Sequence, residues 1–149
     1  MATYTDTISS PRPPEEVFDY MATFSNVAEW DPTAAEANQT AGKGPGEEAR
    51  FHVLVRWLGR EIPLEYETVV YERPHRVVLR AENATTVSED TITVRPAGSG
   101  SEMIYEARLI LKGAMRFVDP LFGLAFKRLG DNAAAGLRRV LGETGPSGA

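Results

Sequence analysis

The most constraining feature of this chain is a series of long segments, from Glu48 to Leu111, in which apolar and polar residues alternate. Alternation with a period of two is typical of β-strands that bury one face. Short turns join the segments, so we expect antiparallel hairpins with one side of the sheet facing water. Several segments are roughly twice the usual strand length of about 5–6 residues. Because sheets twist, such long strands cannot stay flat, and we predict a strongly bent antiparallel sheet.

Shorter elements precede this sheet. Met1–Ser10 is rich in β-forming residues and predicts a first strand. The segment PRPPEEVFDYMATF predicts a helix, with prolines in its first turn and acidic residues after them. Ser25–Trp30 predicts a second short helix with Ser25 as its N-cap, and Asp31-Pro32 ends it because the residue before a proline disfavours helix. Ala34–Thr40 predicts a weak strand, which brings the sheet to about seven strands.

A long helix follows the last strand and accounts for residues 114–142. Asp119 can cap its main part, and Pro120 can be the first helical residue. The spacing of apolar residues predicts a buried stripe that contains Leu121, Leu124, Ala125, Leu129, Ala133, Leu137, Val140 and Leu141. By composition, residues 143–149 are a disordered tail. We see no internal repeat or linker, and we expect one α+β domain over residues 1–142.

Composition argues against several classes of function. A net charge of −5 disfavours a nucleic-acid or anionic-membrane partner, and no apolar run reaches the roughly 18 residues of a membrane span. The absence of cysteine excludes disulfides, thiol catalysis and cysteine-ligated zinc. The two histidines, His52 and His75, have no visible triad partners and make a poor metal site. We expect no metal and no cofactor, and a cytoplasmic protein whose N-terminus is unlike a signal peptide.

The order of elements and four short motifs resemble the START-like (SRPBCC) superfamily of polyketide cyclases/dehydrases and lipid-transport proteins. The motifs are PEEVFDY after the first strand, EWDP after the short helices, YERP in a turn of the sheet and LKG before the last helix. The resemblance covers nearly the whole chain and implies a helix-grip fold, in which a curved sheet wraps a long C-terminal helix. It says little about function, because the superfamily includes carriers, cyclases, hydroxylase domains and co-chaperones.

A pocket is expected between the bent sheet and the helix. The concave face is wider than one helix, and the helix side facing it is rich in glycine and alanine, including Gly123, Gly130 and Gly136. The same small residues would also let the helix sit close to the sheet, and an apolar stripe is more often core than binding wall. The predicted ligand-binding residues are Trp30, Phe51, Val53, Trp57, Tyr66, Thr68, Leu79, Ser88, Asp90, Tyr105, Leu109, Phe117, Leu121, Phe122 and Phe126.

Asp90, Tyr66 and Tyr105 are the candidates for chemistry. By parity Asp90 faces inward with Ile92 and Val94, and a buried carboxylate must be hydrogen-bonded or shift its pKa. It can orient or deprotonate a ligand, or it can bond a neighbouring tyrosine or backbone N–H. The tyrosines can donate to a ligand carbonyl or simply satisfy their hydroxyls locally.

We predict that the protein binds or carries a small hydrophobic molecule, such as a lipid, a polyketide or an aromatic metabolite. The alternative is a cyclase or dehydratase that uses the same cavity. Cyclases of the superfamily place an arginine inside the cavity, whereas Arg56 and Arg108 face outward here by parity. An interaction module acting through its outer surface is a third alternative. No nucleic-acid partner and no integral membrane contact are expected, and the protein is expected to be a monomer or a homodimer.

Overall fold

The computed structural model describes residues 1–57, 59–113 and 119–142, with residues 119–121 described by their backbone alone. The strands are β1 Ala2–Ser10, β2 Ala34–Ala41, β3 Arg50–Trp57, β4 Arg60–Glu72, β5 Arg76–Glu82, β6 Thr86–Ala97 and β7 Gly100–Leu111. The helices are α1 Pro14–Ala22, a 3-10 turn Phe24–Asn26, α2 Val27–Trp30 and α3 Asp119–Leu137, which continues as a π-helical turn Arg138–Gly142. Residues 114–118, predicted to be helical, and the predicted disordered tail at 143–149 lie outside the described residues.

All seven strands form one antiparallel sheet in the order β1-β7-β6-β5-β4-β3-β2. From β2 to β7, strands that are consecutive in sequence are neighbours in the sheet. The first strand, β1, forms the edge beside β7. Irregular pairing interrupts β2 and also β4, between Thr68 and Val70. An extra residue at such a point bends the strand and increases its twist, and it leaves Val69 exposed. The predicted curved sheet with one long C-terminal helix is confirmed.

Strand register aligns the inner-face residues in rows across the sheet. One row runs through Phe51, Tyr66, Ala81, Ser88 and Leu109, on β3 to β7. The next row contains Thr68, Leu79, Asp90 and Ala107, on β4 to β7. Side chains of one parity share one face of a strand, so these two rows place the polar residues of β6 beside the apolar residues of β5 and β7.

The short helices close one end of the concave face. Pro14 is the first residue of α1, which buries Val17, Phe18 and Met21. The predicted N-cap at Ser25 is wrong, because Ser25 lies inside the 3-10 turn and makes no capping hydrogen bond. After α2, Asp31 adopts an extended conformation before proline, as the sequence predicts.

Helix α3 packs along β1, and its buried stripe departs from the prediction, which included Leu124 and lacked Phe126. Phe126, Ala133, Leu137 and Leu141 are buried, but Leu124 is 72% exposed. Leu124 lies two residues before Phe126, and a two-residue step on an α-helix leads to the opposite face. Within the parts of the chain that the structure describes, no helix is both long and apolar enough to span a membrane.

Candidate ligand-binding site

Aromatic rings fill the concave face where the short helices cover it. Phe24 is the centre of this packing, with its ring centroid 4.9 Å from Tyr66, 6.3 Å from Phe51 and 6.4 Å from Trp30. The Trp30 ring in turn lies 5.4 Å from that of Tyr105. These five side chains, each buried, are called the closed end. Their edge-to-face geometry is favourable for aromatic pairs, so this region is part of the core.

The opposite end of the concave face is only half-buried. It is formed by five apolar side chains, called the open end: Val55, Trp57, Ile62, Leu109 and Phe122. Val55 faces Ile62 across the β3–β4 pair, and the Trp57 ring lies 5.4 Å from Phe122 on α3. Phe122 stacks on Phe126 at 6.0 Å. Aromatic and aliphatic side chains left partly in water are available to an apolar ligand.

A polar cluster of Tyr66, Ser88, Asp90 and Tyr105 borders the closed end and shares its two tyrosines with it. The hydroxyls of Tyr66 and Ser88 are 2.7 Å apart and hydrogen-bonded, across the small Ala81 of β5. The Tyr105 hydroxyl donates to Asp90 Oδ2 over 3.4 Å, which is long for a hydrogen bond. All four residues are at most 8% exposed. Ser88 pairs with Leu109, one of the half-buried apolar side chains of the concave face.

The pKa of Asp90 is raised to about 7, mainly by burial and in part by the nearby Asp31 carboxylate, while the Tyr105 hydrogen bond opposes the rise. Burial also raises the pKa of Asp31, opposed by hydrogen bonds that its carboxylate accepts from the backbone N–H and hydroxyl of Thr33. Among the described residues, no lysine or arginine pairs with either carboxylate. Asp90 therefore changes between acid and carboxylate near neutral pH.

The two tyrosines of the cluster remain neutral hydrogen-bond donors at physiological pH. Burial raises the pKa of Tyr105 well above its ordinary value, and the negative charge of Asp90 adds to the shift. The pKa of Tyr66 is raised for the same two reasons, with Ser88 opposing the shift. The cluster thus combines hydroxyl donors with one carboxyl group that titrates near pH 7.

Two clefts border helix α3. The larger, of about 610 Å³, lies between β1 and the first half of α3, and its walls include Tyr4, Gly123, Phe126 and Lys127. This volume is above the roughly 300 Å³ typical of the smallest ligand sites. The smaller, of about 440 Å³, lies between α2 and α3 and touches Trp30 and Asp31. Each cleft includes one residue of the predicted binding set, so the clefts flank that set instead of coinciding with it.

The predicted site residues fall into distinct groups in the structure. Trp57, Leu109 and Phe122 belong to the open end, and Phe126 connects it to the larger cleft. Phe51, Val53 and Leu79 are at most 2% exposed and lie in the core. The Thr68 hydroxyl donates to the carbonyl of Ala49. Phe117 and the side chain of Leu121 lie outside the described residues.

Trp30 serves mainly as an anchor for the short helix α2. Its ring packs between Phe24 and Tyr105, and its backbone lies directly under Gly136 of α3. A β-carbon on Gly136 would overlap the Trp30 carbonyl oxygen, and one on Gly130 would overlap the Tyr4 ring. Of the two interpretations that the sequence left open, close approach therefore holds for Gly130 and Gly136. Gly123 differs, since a β-carbon added there would have no described neighbour within 4 Å.

Sequence reasoning missed Phe24, Ile62 and Asp31 as parts of the site region. Ile62 shares the parity of Tyr66 on β4, and this signal could have identified it. The sequence presents Asp31 only as a helix stop, although a carboxylate there reaches the electrostatic environment of Asp90. Within residues 1–57, 59–113 and 119–142, no group of three or more histidine, aspartate or glutamate side chains is placed to hold a metal ion.

Comparisons with known structures agree with this architecture. A START superfamily protein from Mycobacterium smegmatis matches with a TM-score of 0.73 and 13% identity, over 95% of this chain and 97% of that chain. A protein from Thermus thermophilus matches with a TM-score of 0.74 and 14% identity, over 94% of this chain and 95% of that chain. Major latex-like protein 151 from Panax ginseng matches with a TM-score of 0.58 and 9% identity, over 88% and 97% of the two chains.

At these identities the structural likeness establishes the fold alone. No curated protein sequence matches the chain. The sequence itself matches the family described as polyketide cyclase / dehydrase and lipid transport over residues 1–142. The predicted START-like assignment is confirmed, and the chain belongs to this family.

Proposed function

We propose that the protein binds a small hydrophobic molecule at the open end of its concave face. The observation that carries this proposal is the contrast in burial along one continuous inner surface. The closed end is packed ring against ring, whereas Trp57, Leu109 and Phe122 remain partly in water. Covering such side chains with a ligand would contribute about 25 cal/mol of favourable binding free energy for each Å² of apolar surface removed from water.

The polar cluster supports the same proposal. Ligand sites combine a mostly apolar wall with a few polar groups that orient the guest. Here Ser88 is paired with Leu109 of the open end. Tyr66 lies in the same row of the sheet as Ser88, and Asp90 lies in the next row. A ligand whose body covers Trp57 and Phe122 would direct its polar group toward these side chains.

Native mass spectrometry of protein purified from its own cells tests the proposal. We expect a co-purifying small molecule, seen as a mass increment that disappears on denaturation. Phe122→Ser makes the open end polar and should lose the increment. Leu124→Ser is the matched control, because Leu124 is on the same helix but 72% exposed on its other face.

The proposal fails if the wild-type protein carries no adduct and also binds no member of a panel of naphthalene-sized apolar compounds in calorimetric titrations. It also fails if Phe122→Ser and Leu124→Ser bind equally well. Loss of binding in both variants through unfolding is recognised by their circular dichroism and thermal melts.

An enzyme of the cyclase or dehydratase type is the second candidate, and the pKa of Asp90 favours it. A carboxyl group with a pKa of about 7 next to the Tyr105 hydroxyl has the properties of a general acid or base at neutral pH. The described inner face contains no arginine to hold a poly-keto chain, since Arg56 pairs with Glu61 on the outer face. If Asp90→Asn and Tyr105→Phe leave turnover of a substrate found by screening unchanged, this mechanism is excluded.

A cytoplasmic location, a monomeric or homodimeric state and one domain over residues 1–142 stay predictions. Size-exclusion chromatography with light scattering would decide the oligomeric state.

A further inference from the structure

We propose that the head group recognised by this site is a protonated amine, carried on an apolar body, and that the site rejects carboxylates such as fatty acids. The inference rests on the proposed function and specifies its ligand class. It follows from the arrangement of charge and hydrogen-bonding groups around Asp90.

The Asp90 carboxyl receives far fewer hydrogen bonds than it can accept. A carboxylate offers about four lone-pair sites, but the only hydrogen bond it receives from the described residues comes from Tyr105, over 3.4 Å. The side chain is 6% exposed and lies on the inner face, opposite Leu79 and Ala107. Neither neighbour can hydrogen-bond through its side chain, so the described residues leave most of the acceptor capacity of Asp90 unused.

The described elements around Asp90 supply no counter-charge. The groups that act on its carboxyl are Asp31 after α2, Tyr105 on β7 and Glu89 on its own strand, and both carboxylates repel negative charge. Tyr66 on β4 lies close enough that the charge of Asp90 affects it. The described inner positions of α3 are apolar: Phe122, Phe126, Leu129, Ala133 and Leu137.

The arginines nearest in sequence lie on the other face of the sheet. Arg80 and Glu89 alternate with Leu79 and Asp90, and Arg80 pairs with Glu82 and Glu89. On β7, Arg108 is the strand partner of Glu89, so it lies on the same outer face. No described cation therefore reaches the inner cluster, and a bound carboxylate would lie beside two acidic side chains with no compensation.

An ammonium group has the complementary chemistry. It offers three donors to the Asp90 carboxylate and to the hydroxyl oxygens of Tyr66 and Ser88, and its charge offsets that of Asp90. The apolar body would then occupy the neighbouring open end, where Leu109 adjoins Ser88. A ligand with a carbonyl head is the competing possibility, since neutral Asp90 could donate to it, and an uncharged probe distinguishes the two.

The experiment compares three probes that share a naphthalene body: 2-(1-naphthyl)ethylamine, 2-(1-naphthyl)ethanol and 1-naphthylacetic acid. Their Kd values for the wild-type protein are measured by calorimetry at pH 8, where Asp90 is mostly ionised. We expect the amine to bind at least 10-fold more tightly than the acid and several-fold more tightly than the alcohol. Asp90→Asn should bring the amine to within about 2-fold of the alcohol.

Glu89→Gln is the matched control, because it removes the same formal charge from the adjacent residue on the outer face. It should preserve the amine preference to within 2-fold. If the alcohol or the acid binds as tightly as the amine to the wild-type protein, the ligand class is wrong while the proposed function stands. If none of the three binds, the ligand class is wrong, and the proposed function fails as well when the purified protein carries no adduct and binds no other compound of the panel. The wild-type comparison decides the matter even if Asp90→Asn does not fold.

Discussion

The two halves of α3 make opposite use of the same small residues. In the C-terminal half, Gly130 lies against the Tyr4 ring and Gly136 against the backbone of Trp30. In the N-terminal half, a β-carbon on Gly123 would meet no described atom within 4 Å, and Gly123 borders the cleft of about 610 Å³. The glycines of the C-terminal half are thus in close contact with the protein, whereas Gly123 of the N-terminal half borders a cleft.

Hydrogen bonds follow the same division. Arg138 bonds to Asp6, Arg139 bonds to the carbonyl of Glu29, and the Ser10 hydroxyl bonds to the carbonyl of Leu141. All three are made from the last turns of the helical segment. The first described turns of α3 contribute instead the ring contact between Phe122 and Trp57. The C-terminal end of α3 is therefore held to the protein by hydrogen bonds, whereas its N-terminal end borders a cleft.

The largest effect on stability is expected from removing a ring at the closed end. Phe24→Ala should lower the free energy of unfolding by about 3–5 kcal/mol, because it deletes a buried side chain in contact with three rings. Phe122→Ala should cost about half as much or less, since Phe122 is partly exposed. Urea unfolding of both variants measures the difference, and equal losses would remove the distinction between the two ends.

The next effect concerns the pH dependence of stability. The pKa of Asp90 is about 7 in the fold and 3.8 ordinarily. Between pH 3.8 and pH 7, Asp90 is therefore ionised in the unfolded chain but still protonated in the folded protein. The free energy of unfolding therefore falls as pH rises from about 4 to 7. Asp90→Asn should remove roughly 3 kcal/mol of this fall, whereas Glu89→Gln should not.

Denaturant titrations at pH 4.5 and pH 8 provide the test. Part of the fall should persist in Asp90→Asn, because the pKa of Asp31 is also raised by burial. Parallel pH profiles for the wild-type protein and Asp90→Asn would mean that Asp90 is ionised in the fold at acidic pH, contrary to its burial in the polar cluster.

The smallest effects come from a matched pair of glycine substitutions in α3. Gly136→Ala should lower the free energy of unfolding by about 1–3 kcal/mol, because its methyl group would collide with the backbone of Trp30. Gly123→Ala should raise it by up to about 1 kcal/mol through helix propensity alone. Thermal melts of the two variants give the signs, and a loss at Gly123 would show that the N-terminal half is as tightly packed as the C-terminal half.

Much of the architecture could be predicted because it depends on local pattern. Alternation placed Ser88 and Asp90 on the inner face, and the strand pairing agrees with this parity. Pro32 ended α2 for a backbone reason that acts within two residues. The interpretation of Gly136, by contrast, depends on a tertiary contact. The space beside Gly136 is occupied by the backbone of Trp30, which is 106 residues away in sequence. No local pattern contains that information.

The candidate site was only partly predictable for the same reason. Parity could assign Phe51 and Trp57 to one face, but it could not distinguish the fully buried Phe51 from the half-buried Trp57. That difference arises from the position of Phe24 and α2 over one end of the sheet. Leu124 was assigned to the buried stripe from its hydrophobicity, although its step from Phe126 places it in water.

The most direct test of the central claim uses the two tryptophans of the chain, because Trp57 lies at the open end and Trp30 at the closed end. The protein is labelled with 5-fluorotryptophan, the two fluorine NMR signals are assigned with Trp57→Phe, and 2-(1-naphthyl)ethanol is titrated in. We predict that the Trp57 signal shifts in proportion to binding while the Trp30 signal stays within its linewidth. A shift confined to Trp30, or binding that moves neither signal, would contradict the account.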